Sequence, residues 1–99
     1  MCRGWDPETF DIPDDTAKQI DQAFENCDRN LKNAGGSGLT QVFKVRSYHV
    51  PLDDKTMEIV VEAMKKFFPN HQPLWTVLGV PRLGLDTMKV EIEVTAHVA

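Results

Sequence analysis

Apolar and polar residues alternate strictly over residues 88–98. One face of this segment collects Met88, Val90, Ile92, Val94, Ala96 and Val98, and the other Lys89, Glu91, Glu93, Thr95 and His97. A period of two is typical of a β-strand with one face in the core. The pattern therefore predicts a half-buried strand whose polar face carries Glu91 and Glu93 next to each other.

In two other segments, apolar residues recur at the spacing of a helix. In residues 15–34 the apolar stripe is formed by Ala17, Ile20, Ala23, Phe24, Cys27, Leu31 and Ala34. Asp14, Asp15 and Thr16 offer an N-cap, and Gly35-Gly36 is typical of a helix end. In residues 54–68 the stripe is formed by Met57, Val60, Val61, Met64, Phe67 and Phe68. We expect two amphipathic helices.

Two further strands are predicted at residues 41–50 and 73–80, which are rich in β-branched and aromatic residues. The order α-β-α-β-β favours a two-layer α+β sandwich with both helices on one sheet face. The strand 41–50 carries apolar residues on both sides, Phe43 and Val45 on one and Val42, Tyr48 and Val50 on the other. A partner subunit covering the second face would explain this, and tolerated surface residues are the alternative.

Length and charge narrow the class of protein. Ninety-nine residues indicate one domain, 1–99. Fifteen acidic and eleven basic residues give a net charge of −4, which makes nucleic acid an unlikely partner. No apolar run approaches the roughly 20 residues that span a bilayer. We expect a cytoplasmic protein without a membrane partner, or a mitochondrial one if a targeting segment was lost. Cys27 is expected to be a buried free thiol rather than a disulfide.

The residues alone leave the chemistry open. Glu91 and Glu93 lie about 7 Å apart on one strand face. One of them acts as a general base or holds a water molecule, or both belong to a solvated strand face. His49, His71 and His97 have no metal-ligand spacing. We expect neither a metal site nor a cofactor.

Several segments together resemble the RidA/YjgF/L-PSP family. They are Trp5-Asp6-Pro7-Glu8-Thr9, the helix from Gln19 to Gly36, Pro73-Leu74-Trp75-Thr76, Gly79-Val80-Pro81-Arg82-Leu83-Gly84 and Val90-Glu91-Ile92-Glu93-Val94-Thr95-Ala96. The resemblance covers essentially all of the chain. It implies a chorismate-mutase-like fold, a homotrimer, and a small-molecule ligand in clefts between subunits. The implied activity is hydrolysis of enamines and imines to a 2-keto acid and ammonia.

The resemblance also assigns candidate site residues. Glu91 matches the family's glutamate that positions a water, whereas Trp75 stands where the family has an arginine that binds the substrate carboxylate. Thr76 and Arg82 are the other ligand-binding candidates. The family's N-terminal hairpin has no counterpart, because Cys2-Arg3-Gly4 already matches the end of a hairpin strand. The chain is therefore expected to be an N-terminally truncated member.

An indole cannot replace a guanidinium, which is charged, planar and bidentate toward carboxylates. Trp75 either forms a wall of a pocket for an apolar or aromatic ligand, or it packs at an interface. Arg82, Arg46 or Lys44 would have to supply a substitute cation. We therefore expect a RidA-like small-molecule-binding protein in which the family's deaminase activity is weak or lost. A non-enzymatic chaperone-like oligomer is the alternative, and an endoribonuclease has less support.

Overall fold

Four strands and two α-helices form the part of the chain that the computed structural model describes, residues 2–4, 15–84 and 87–97. In chain order they are β1 (Cys2–Arg3), α1 (Thr16–Asn33), a 3-10 turn (Gly38–Gln41), β2 (Val42–His49), α2 (Asp54–Phe67), β3 (Leu74–Gly79) and β4 (Val90–Ala96). The predicted turn at residues 5–9, the cap candidate Asp14 and the last predicted strand residue, Val98, lie outside the described residues.

The strands form one mixed sheet in the order β1-β4-β2-β3. Strand β3 is parallel to β2, with α2 in the connection between them, and β4 is antiparallel to both β2 and β1. The predicted α+β sandwich is confirmed. The predicted order lacked β1, because a strand of two residues has no periodicity that a sequence pattern can report.

Local capping signals place the helix ends. The carboxylate of Asp15 accepts a hydrogen bond from the Ala17 backbone N–H at 2.8 Å, and that of Asp53 accepts one from the Thr56 N–H at 2.8 Å. Beyond α1, Gly35 has a φ of 93°, a left-handed conformation that glycine adopts without strain. The capping predictions at Asp15 and Gly35 are confirmed.

Both helices pack against the same face of the sheet. The ring of Phe24 in α1 stacks on Phe67 with centroids 5.0 Å apart and meets Phe68 edge-on at 5.9 Å. The buried core that joins the helices to the sheet includes Ile20, Ala23, Cys27, Val45, Val60, Ala63, Val90 and Ile92. The opposite face of the sheet is not covered by either helix, and we call it the outer face.

A β-bulge changes the assignment of side chains in β2. The pairing with β4 shifts register between Val42 and Lys44, and Val42 and Val45 are both buried while Phe43 is 47% exposed. The prediction that Phe43 shares a face with Val45 is wrong. Strict alternation assumes an uninterrupted strand, and a bulge adds one residue that moves the side chains before it to the other face.

The prediction of a free thiol at Cys27 is also wrong. Cys27 is fully buried and disulfide-bonded. That prediction rested on the wide separation of Cys2 and Cys27 along the sequence. That spacing does not reveal that β1 packs against α1 in the folded domain.

Candidate functional site

The outer face presents three rows of side chains, each running across β4, β2 and β3. The strand pairing aligns Glu91 with Tyr48 and Leu78, Glu93 with Arg46 and Thr76, and Thr95 with Lys44 and Leu74. In the central row opposite charges face each other across an antiparallel pair, which favours the pairing. Predicted candidates Glu91, Thr76, Arg46 and Lys44 therefore share one surface. Arg46 is the cation diagonal to Glu91.

A buried glutamine anchors the chain just before Glu91. The side-chain amide of Gln19 in α1 donates to the Thr87 carbonyl at 3.1 Å, and its oxygen accepts the Lys89 N–H at 2.9 Å. Gln19 is only 1% exposed. These two hydrogen bonds hold the backbone just before β4 against α1, and they thereby fix the position of Glu91 along the sheet. We did not predict this role, although a glutamine beside the apolar stripe of α1 was a visible signal.

Trp75 lies on the opposite side of the sheet from Glu91. Trp75 is in register with Val45, whereas Glu91 is in register with Tyr48, and these two β2 residues are an odd number of positions apart. The indole packs against the buried core, and its Nε1–H donates to the Ser47 hydroxyl at 3.0 Å. Within one protomer, the structure does not bring Trp75 together with Glu91 and Thr76.

Trp75 instead lines a cavity of about 280 Å³ between α2 and the start of β3. Its apolar lining includes Val61, Met64, Phe68 and Pro73, with Lys65 and His71 among the polar residues. The Nε2 of His71 lies 2.7 Å from the Val42 carbonyl oxygen, and the ring meets Phe68 edge-on. Because a carbonyl only accepts, Nε2 carries the proton and Nδ1 is the acceptor of the neutral ring.

The remaining cation candidate, Arg82, lies in the exposed loop that follows β3. Within residues 2–4, 15–84 and 87–97 there is no group of three or more His, Cys, Asp or Glu side chains arranged to hold a metal. Nor is any helix in that part of the chain long and apolar enough to cross a membrane.

His49, at the end of β2, is a buried titratable residue that the sequence did not single out. Its side chain is fully buried, and within the described part of the chain neither ring nitrogen has a hydrogen-bond partner. Burial lowers the pKa of the His49 imidazole from 6.5 to about 4, because the charged form would lose its hydration. His49 is therefore neutral at physiological pH.

The sequence matches the Endoribonuclease L-PSP family over residues 3–98. The chain belongs to this family. Solved structures with the same fold include RidA from the Antarctic bacterium Psychrobacter sp., at 26% identity and a TM-score of 0.87, with 97% of this chain and 75% of that chain covered. The predicted resemblance to the RidA/YjgF/L-PSP family is confirmed.

Two structures from E. coli extend the comparison. TdcF with bound serine is 27% identical with a TM-score of 0.87, covering 99% of this chain and 76% of TdcF. The YjgF gene product is 26% identical with a TM-score of 0.84, covering 96% of this chain and 74% of YjgF. No curated protein matches the chain significantly. The comparisons give the family and the fold.

Proposed function

We propose that this chain is a RidA-like protein that binds a small apolar or aromatic molecule in the cavity beside Trp75, with little or no 2-imino-acid deaminase activity. The observation that carries the proposal is the hydrogen bond from Trp75 Nε1–H to Ser47. Indole has one hydrogen-bond donor and no acceptor. With that donor occupied inside the protein, Trp75 offers a ligand only its apolar ring.

The lack of a carboxylate clamp argues against deamination. In the family pattern an arginine stands where this chain has Trp75, and a guanidinium binds a carboxylate through two charge-assisted hydrogen bonds. Removing one partner of a buried charge pair costs on the order of 2–5 kcal/mol. That loss corresponds to an affinity decrease of roughly thirty-fold to several thousand-fold. Arg46 shares the outer face with Glu91, but it also faces Glu93 in the strand pairing.

The size of the cavity suits a small ring compound. A dry apolar cavity of about 150 Å³ is known to admit benzene. At about 280 Å³, the cavity beside Trp75 therefore has room for one or two rings. A relative of this chain, TdcF, is described with bound serine, which supports small-molecule binding by this fold.

We further propose that copies of the chain form a homo-oligomer, a trimer, and that the ligand site beside Trp75 borders a cleft between copies. Leu74 and Leu78 on the outer face of β3 are 72% and 43% exposed. Apolar side chains at these exposures favour burial by a partner. Because Trp75 faces the helices while Leu74 lies on the outer face, a second copy on the outer face would reach the cavity only around the edge strand β3.

The binding proposal is tested by calorimetric titration with 2-naphthol, a neutral two-ring probe. We expect saturable binding, and we expect Val61→Phe to weaken it at least about tenfold, because the added ring occupies a cavity-lining position. Ile59→Phe is the matched control, since Ile59 lies on the same helix but does not line this cavity. Equal affinity in the wild type and the Val61 variant would contradict the proposal.

The deaminase expectation is tested with an amino-acid oxidase and semicarbazide, which traps the 2-imino acid as an absorbing semicarbazone. A deaminase lowers the trapped yield, and we expect the pure protein to leave it unchanged. Glu91→Gln is the control for any residual rate. A lowered yield that disappears in this variant would show that Glu91 supports deamination without the arginine and would overturn this part of the proposal.

The two alternatives make different predictions. A chaperone-like oligomer would bind clients through exposed residues such as Leu74 and Leu78, so client binding would survive Val61→Phe. An endoribonuclease needs contacts to the phosphate backbone, and the net charge of −4 does not favour them.

A further inference from the structure

Ser47 is a polar residue at a position where the fold calls for an apolar one. It lies in β2 on the side of the sheet that faces the helices, between the buried residues Val45 and His49, and it is itself fully buried. A hydroxyl group in such a place costs free energy unless it is hydrogen-bonded. Ser47 meets this requirement by accepting the Nε1–H of Trp75 at 3.0 Å.

The hydrogen bond has a consequence for the shape of the cavity. The N–H of an indole lies in the plane of the ring, so fixing its direction also restricts rotation of the ring about its bond to Cβ. Ser47 is in β2 and Trp75 is in β3, and the two strands are held in parallel register. The bond therefore holds the indole in one orientation, as a wall of the cavity without a free hydrogen-bond donor.

We infer that Ser47 is a positioning residue that sets the ligand specificity of this cavity. Ser47 holds the indole in one orientation and occupies its N–H donor. The cavity therefore selects a planar aromatic ring, which can stack on Trp75, over a saturated ring of similar size. The inference rests on the proposed function, in which the cavity is the ligand site. It names the ligand class of that site and the residue that determines it.

The test compares two probes in calorimetric titrations, 2-naphthol and decahydro-2-naphthol, which carry a hydroxyl group at the same position of an aromatic and a saturated two-ring skeleton. Aromatic pairs in favourable geometry gain affinity beyond their buried area, up to about tenfold. We expect the wild type to prefer the aromatic probe by several-fold up to about tenfold. In Ser47→Ala the preference should fall to within about twofold, while Ser47→Thr, which keeps the hydroxyl, should retain it.

A second readout reports the indole directly. In a Trp5→Phe background, Trp75 is the sole tryptophan, and its emission maximum should change in Ser47→Ala and remain similar in Ser47→Thr. A purely structural role for Ser47 would lower stability without altering the ratio of the two dissociation constants in folded protein. Should Ser47→Ala not fold, Ser47→Cys keeps the size of the side chain with a weaker acceptor, and the preference should again decrease.

The outcomes separate the two proposals. If neither probe binds the wild type, the cavity is not a ligand site and the proposed function fails together with the inference. If both probes bind and the aromatic preference is unchanged in the Ala and Cys variants, the role of Ser47 is refuted while the cavity remains a binding site. Loss of the preference in both variants, with retention in the Thr variant, supports the inference.

Discussion

At the scale of single residues, His49 couples the stability of the fold to pH. Protonating a fully buried imidazole that has no partner among the described residues destabilises the folded state. The folded-state pKa of about 4 lies below the value of 6.5 expected for the unfolded chain. Between these two pH values the unfolded state binds a proton that the folded state does not, so acidification favours unfolding.

We predict that the free energy of unfolding is independent of His49 above pH 6.5 and decreases as the pH falls toward 4. The slope approaches about 1.4 kcal/mol per pH unit, for a total of up to about 3 kcal/mol. Urea unfolding at a series of pH values measures this dependence. His49→Leu, which removes the titrating group at similar volume, should flatten the curve between pH 6.5 and 4.

The control is His97→Gln, which removes a histidine from an exposed position. The capping carboxylate Asp53 titrates in a different range. Hydrogen bonds from the backbone and side chain of Thr56 lower the pKa of Asp53 below 3.8, so the stability that it contributes is lost only under more acidic conditions. A wild-type curve that is flat from pH 7 to 4 would refute the role assigned to His49.

The candidate site shows what residue-level reasoning can and cannot predict. The sequence pointed to Trp75, Thr76 and Glu91, and alternation along β3 puts Trp75 and Thr76 on opposite faces. The sequence did not reveal that Thr76, rather than Trp75, shares the outer face with Glu91. That difference depends on the register of β2 with β3 and β4, which is fixed by distant contacts. The pairing of Trp75 with Ser47 is invisible for the same reason.

At the scale of elements, the helices were predictable because their signals are local. An aspartate accepts backbone N–H groups within the next turn, and a glycine relieves the strain of a left-handed residue at the end. Gly38 is a more demanding case than Gly35. Both have positive φ, but a Cβ at Gly38 would collide with the Asp28 carboxylate, whose oxygen accepts the Leu39 N–H, whereas a Cβ at Gly35 would meet open space.

The strands were predicted in place but not in detail. Apolar alternation located β4, and the content of β-branched and aromatic residues located β2 and β3, each to within one or two residues. The bulge near Phe43, the pairing of the short β1 with β4 and the disulfide at Cys27 were missed. Each of these arises from pairing between segments far apart in the chain, and no local pattern encodes it.

At the scale of the whole molecule, a single copy of the chain does not explain why the outer face carries exposed apolar side chains. Helices cover one side of the sheet, while the other carries three rows of side chains, two of which end in the exposed leucines of β3. Phe43, beside the bulge, adds a third exposed apolar side chain. A monomer would keep these groups in water, at a cost of about 25 cal/mol for each Å² of apolar surface left exposed.

We therefore predict that light scattering combined with size-exclusion chromatography will show an oligomer, with a mass near three times the chain mass of 11.2 kDa. Leu78→Glu should shift it toward monomer, because a carboxylate buried against a partner would lose its hydration without gaining a counter-ion. Lys18→Glu changes the charge by the same sign on the exposed surface of α1 and should leave the mass unchanged. The two variants together distinguish a specific contact at β3 from a general effect of net charge. A wild-type protein that elutes as a single monomeric species at micromolar concentration would rule out the oligomer and with it a cleft shared between copies, and the cavity beside Trp75 would then have to bind its ligand within one chain.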